Sequence, residues 1–258
     1  MKRYIAGIVA LSAIVLVPIH QADAYNPLMS QSGYELRWQQ QTVSFYLNPD
    51  GFQDFDPAQL EKLVRQCSHT WETINFGLHF EYKGLTDIKA ADDDDVNVIY
   101  FEQNTQSWDN QFPTQERALA MTRVWSDTKG GIQGFDMVFN DGKYGFSNTL
   151  DPALWGYDFL NTCTHEMGHV LGLDHSEVSE ATMAATAAVG DLSKRDLDAD
   201  DVDGIKYLYR TGFQADSDIA GCNIVNTDVG RHPLPLGTLS LMLPLIWWVN
   251  RKDKREDT

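Results

Sequence analysis

His165 and His169 stand four residues apart, and a third histidine, His175, follows across a glycine at position 172. Four residues is slightly more than one helical turn, so the first two imidazoles project from one face of a helix and can reach one ion. Gly172 accepts the left-handed backbone that stops a helix and lets the chain reverse, which carries His175 round to the same point. The chain has seven histidines in 258 residues, and three fall within these eleven, more than an ordinary polar helix face requires. Three imidazole nitrogens at ~2.0–2.1 Å leave one corner of a tetrahedral zinc open, the layout of a catalytic rather than a structural site. Glu166, beside the first of them, points to the side where water would sit and is the candidate proton acceptor. Phe159, Leu160, Cys163, Met167, Val170 and Leu171 give this helix an apolar back that must be buried.

The rest of the chain supplies something to bury it against. Thr42–Leu47, Leu78–Tyr82, Val96–Phe101, Ala118–Trp125 and Phe135–Phe139 are β-branched or aromatic runs bounded by turn residues, and read as five short strands. Pro57 to Ile74 has helical spacing, with Asp56 as N-cap and Pro57 in the first turn; further helices are expected over Asp158–Gly172 and from about Ala199 to Tyr209. The expectation is an α+β fold, a twisted five-stranded mixed sheet with three helices, plus a short C-terminal apolar tail. Cys67 and Cys163 lie on apolar stripes facing the core, which leaves open both a disulfide between them and two buried thiols.

The ends read differently. Lys2 and Arg3 precede an apolar run, and Ala22-Asp23-Ala24 has the small-x-small pattern of a cleavage site, so residues 1–24 read as an export signal and the protein as periplasmic, cell-surface or extracellular. A short segment, 25–33, precedes the domain, set at 34–210. A linker, 211–233, leads to residues 234–258, an apolar stretch ending in basic residues. This last part is expected to act as a sorting signal or anchor that attaches the protein to a membrane or cell surface. The net charge of −17 excludes nucleic acid as a partner, since no basic patch offsets repulsion from phosphates. A monomer is expected.

The run from His165 to Ser176, His-Glu-Met-Gly-His-Val-Leu-Gly-Leu-Asp-His-Ser, resembles the extended zinc motif of the metzincin metallopeptidases. The serine after the third histidine, and Met183 at the expected distance for a Met-turn, place the resemblance in the matrixin branch. Ala118–Thr122 with Trp125, Phe135–Asn140 and Asp200–Tyr209 are similar to that family's fourth strand, fifth strand and closing helix. The resemblance implies one catalytic Zn2+ on His165, His169 and His175, Glu166 as general base, and Met183 as a packing floor beneath the metal. It also implies an exported endopeptidase whose protein or peptide substrate lies extended along the edge strand 118–125. A catalytically silent zinc-containing binding module of the same fold is the competing class, and the intact Glu166 speaks against it.

Three departures from the family's pattern matter. No histidine occurs between Phe80 and Thr164, so a second, structural zinc is not expected, and no cysteine lies between Tyr25 and Gln66 to block the metal. The family's Pro-x-Tyr pocket wall is replaced by Ala185-Thr186-Ala187, which leaves side-chain preference open. Ca2+ is common in the family, and Asp136, Asn140 and Asp141 are its candidate contributors, against solvated loop carboxylates as the plainer reading. The acidic run Asp196–Asp201 lacks the loop glycine of a calcium-binding hand and reads as helix capping.

Overall fold

The computed structural model describes residues 24–89, 93–149 and 156–213. Residues 1–23 of the export signal, the linker from 214 and the apolar tail 234–258 lie outside them.

Elements follow the order β1 (Arg37–Trp38), β2 (Thr42–Leu47), α1 (Pro57–Glu72), β3 (His79–Leu85), β4 (Val98–Phe101), α2 (Thr105–Gln111), β5 (Ala120–Ser126) and β6 (Gly131–Phe139). Then come β7 (Phe146–Ser147), β8 (Tyr157–Asp158), α3 (Phe159–Val170), a 3-10 turn (Ser193–Arg195) and α4 (Ala199–Leu208). The main sheet runs β1-β6-β4-β2-β3, all neighbours parallel, while β5 pairs antiparallel with β6. β5 has no other strand beside it among the described residues, so its outer edge keeps backbone donors and acceptors for an added strand.

The alternation in β2 buries Val43, Phe45 and Leu47 on one face, and central β4 is buried on both. Against that sheet lie α1 and α3. Leu60, Leu63, Val64, Cys67 and Trp71 of α1 are all buried, at the spacing that the sequence showed. Trp71 Nε1 donates to Thr164 O at 2.8 Å, and Cys67 is joined to Cys163 by a disulfide, so α1 is pinned to the site helix twice. Asp56 caps α1 through the Gln59 N–H, as expected.

Two expectations need correction. The sheet has six strands, because the two-residue β1 adds to the five read from the sequence, and β7 and β8 form a separate pair. A fourth helix, α2, stands in a stretch to which the sequence pattern assigned no element. It is short and polar, with Trp108 as its one buried residue, so no apolar stripe announces it; Asn104 caps it at the Ser107 N–H, and Trp108 fills a small second core under Val98, Tyr100 and Val138. The segment set before the domain, 25–33, also packs against it: Leu28 is buried, its N–H reaches Gly172 O at 2.7 Å, and Asp174 N reaches Asn26 O at 2.7 Å. The segment placed outside the domain therefore braces the loop after α3.

Candidate metal centre

Helix α3 is built to hold its histidines still. Asp158 caps it, accepting from Asn161 N at 2.8 Å, and is itself buried against the Arg195 guanidinium. At the other end Trp38 Nε1 donates to Val170 O and the Tyr209 hydroxyl to Leu171 O, satisfying carbonyls that the helix leaves bare. Gly172 follows at φ +97°, and a Cβ there would run into Leu36 O, so only glycine makes the reversal the sequence called for. Beyond it, Asn26 Nδ2 donates to His175 O at 2.9 Å, setting the position of the third histidine.

The ring centroids of His165, His169 and His175 are 4.8, 5.3 and 5.0 Å apart, and one nitrogen from each lies within 4.8 Å of the others. His165 Nδ1 meets Thr182 O and His169 Nδ1 meets Leu173 O, both at 2.7 Å. A carbonyl only accepts, so Nδ1 carries the proton in each ring and Nε2 presents its lone pair, the arrangement that orients metal-ligating histidines. Burial pushes all three pKa values down, that of His169 to about 3, with His175 adding to the effect on His169. Three imidazoles held towards the neutral form, two of them oriented through Nδ1, are the donor set that zinc takes.

Glu166 is buried, and desolvation raises its pKa to about 7 against the lowering by the Thr122 hydroxyl and by Lys194. Thr122 Oγ1, on edge strand β5, donates to Glu166 Oε2 at 2.7 Å. The carboxylate and the histidines line one cavity of about 350 Å³ that also reaches Ala118 and Leu119 and the first residues of β5, Ala120 and Met121.

Met183 lies under α3. A Cβ added at Gly168 would strike Met183 Sδ and the Trp71 ring, so the glycine between the two histidines exists to let the methionine pack close. The turn carrying Met183 is hung from α4: Asp201 accepts from Met183 N at 3.0 Å and Thr182 N at 2.7 Å, while closing a capping box with Asp198. The acidic run does cap α4, as expected, and Asp201 does a second job that the sequence reading missed. Thr122 and Lys194 were also missed, because each reaches the site from an element distant in the chain.

Of the calcium candidates, the two aspartates take part in hydrogen bonds, while the buried Oδ1 of Asn140 has no hydrogen-bond partner among the described residues. Asp136 sits inside the sheet and accepts from Val98 N, whereas Asp141 accepts from Gln103 and Asn140 donates to Ala118 O. Among the described residues the acidic pair joins no metal-capable group; the three histidines form one.

Comparison with known proteins agrees with this geometry. The sequence is 50% identical over 52 residues to metalloendoproteinase 2-MMP of Arabidopsis thaliana, covering 20% of this chain and 14% of that protein. It is 36% identical over 98 residues to human matrix metalloproteinase-26, covering 36% of this chain and 37% of the relative, and 42% identical over 59 residues to human matrilysin, covering 23% and 22%. The matched part is thus less than two fifths of each relative's length. The matrixin model of the M10 peptidases, however, matches residues 37–210, which span β1 to the end of α4, and the chain belongs to the matrixin family.

Proposed function

We propose that this chain is an exported zinc-dependent endopeptidase, with His165, His169 and His175 holding the metal and Glu166 as general base. The observation that carries the reading is a buried, hydrogen-bonded glutamate beside three converging imidazoles in a cavity open to an unpaired strand edge. A zinc ion on these nitrogens supplies a Lewis acid that polarises a carbonyl and acidifies water.

The chain's own groups do the rest. A peptide adds to the outer edge of β5 as an extended antiparallel strand, its main chain bonding to the groups that β6 leaves free. Glu166, with a pKa near neutrality, accepts the proton of a water on the open side and returns it to the leaving amine. Thr122 fixes which carboxylate oxygen faces the substrate by donating to the other. Among the described residues no helix is long and apolar enough to cross a membrane; the reading of residues 234–258 as a surface attachment rests on their apolar and basic sequence.

The test is cleavage of an unfolded protein such as casein by the zinc-loaded chain. Chelator should abolish cleavage and added zinc restore it, and Glu166→Ala should lower turnover by at least ~10³-fold while zinc content stays at one per chain. Equal turnover by Glu166→Ala would refute the assigned base.

A further inference from the structure

The cavity beside the histidines holds a cation that this chemistry does not use. Lys194, on the 3-10 turn Ser193–Arg195, is 3% exposed and lines the same cavity as His165, Glu166 and Ala185. Its ammonium donates to Ala184 O, and among the described residues no carboxylate makes an ion pair with it. Asp191, Asp201 and Glu166 support its charge from longer range, while burial draws its pKa down. The neighbouring Arg195 is different, being engaged by Asp158 at the cap of α3. An ammonium carries three donors, so two of those on Lys194 remain for an occupant of the cavity. Ala184, Ala185 and Ala187 line the cavity with small side chains, which leave space rather than fill it.

Resting on the peptidase reading above, we propose that Lys194 is the specificity-determining residue of this cavity and selects peptides with an acidic side chain beside the scissile bond. A buried charge without a partner is costly, and a carboxylate entering the cavity supplies both the opposite charge and the acceptors for two charge-assisted hydrogen bonds. A leucine of similar size would instead fill the cavity without offering the ammonium an acceptor, the kind of mismatch that discriminates strongly in enclosed sites. The protein's net charge of −17 opposes an acidic peptide at long range. That repulsion is screened over about 10 Å at 0.1 M salt, so the contact decides once the peptide is docked.

The experiment uses peptides identical except for Glu, Gln or Leu at each position flanking the cleaved bond. It reads kcat/KM on the zinc-loaded protein, and binding to the zinc-loaded Glu166→Ala variant by calorimetry. At one of those positions Glu should exceed Leu by at least ~10-fold in both measurements, with Gln in between. Lys194→Met should erase or invert the ratio, and Lys194→Arg, which keeps the charge, should preserve it. Leu equal to or better than Glu on the unaltered protein overturns the proposal, as does a ratio unchanged in Lys194→Met. A uniform loss over all three peptides in that variant would mean Lys194 only holds the Ala184 turn, and overturns it too. If Lys194→Met does not fold, the ratio on the unaltered protein and on Lys194→Arg still decides. Failure of the peptidase reading looks different: no peptide is cleaved while the binding preference for Glu persists.

Discussion

Thr122 and Glu166 are 44 positions apart in the chain and 2.7 Å apart in space. The hydroxyl satisfies one carboxylate oxygen in a buried setting, where an unmade hydrogen bond is costly. Thr122→Val keeps the shape and removes the donor. A net hydrogen bond to a charged group contributes about 1.5–3 kcal/mol, so kcat should fall by roughly 10- to 100-fold with KM little changed, as steady-state kinetics on one peptide would show. A second residue-scale prediction concerns Gly168. Since a Cβ there meets Met183 and Trp71, Gly168→Ala should overpack the floor of the site and lower stability by about 1–3 kcal/mol in urea unfolding. An unchanged midpoint would mean that Met183 swings clear at little cost. All three histidines and their glutamate were legible as residues because the metal imposes a spacing on one short stretch. Thr122 and Lys194 were not, since nothing in a sequence marks a threonine or lysine as facing a site built elsewhere.

At the scale of elements, α4 is more than a closing helix. Its capping residue Asp201 is fully buried and accepts from Thr182 N, Met183 N and Asp198 N, tying the methionine turn to the helix start. Asp201→Asn would keep one acceptor oxygen and set an amide donor against the N–H groups that the other one serves, so we expect a loss of about 2 kcal/mol or more. Zinc affinity should weaken with it, because Thr182 O is what orients His165. Denaturant titration and competition with a zinc dye would check both; weaker folding with unaltered zinc affinity would separate the turn from the ligand. The strands and long helices were readable because alternation and the 3.6 period persist over enough residues to stand out. Helix α2 escaped for the opposite reason, with six polar residues around a single buried tryptophan.

For the whole molecule, the Cys67–Cys163 bridge spans 96 positions and ties α1 to α3. Closing a loop of about this length removes chain entropy worth up to about 4–5 kcal/mol from the unfolded state, and measured values centre on 2–4. Reduction should therefore lower the unfolding free energy by about 3 kcal/mol, read from denaturation with and without reductant; identical curves would show that the bridge is absent or idle. Two cysteines on apolar stripes were visible in the sequence, but whether the stripes face each other depends on how two helices pack against one sheet.

The sequence by itself determined the chemistry that fits within a dozen residues: the ligand set, its base, the helix that carries them and the glycine that turns the chain, because helical geometry fixes distances at short range. It also carried the alternation that makes the sheet. Only the tertiary structure decided what meets that site from afar. The edge of β5 with Thr122, the N-terminal segment bracing His175, the Asp201 anchor and the buried Lys194 all arrive through packing of the sheet against α1, α3 and α4. Long-range juxtaposition of that kind follows from how layers bury their apolar faces together, and no local pattern encodes it.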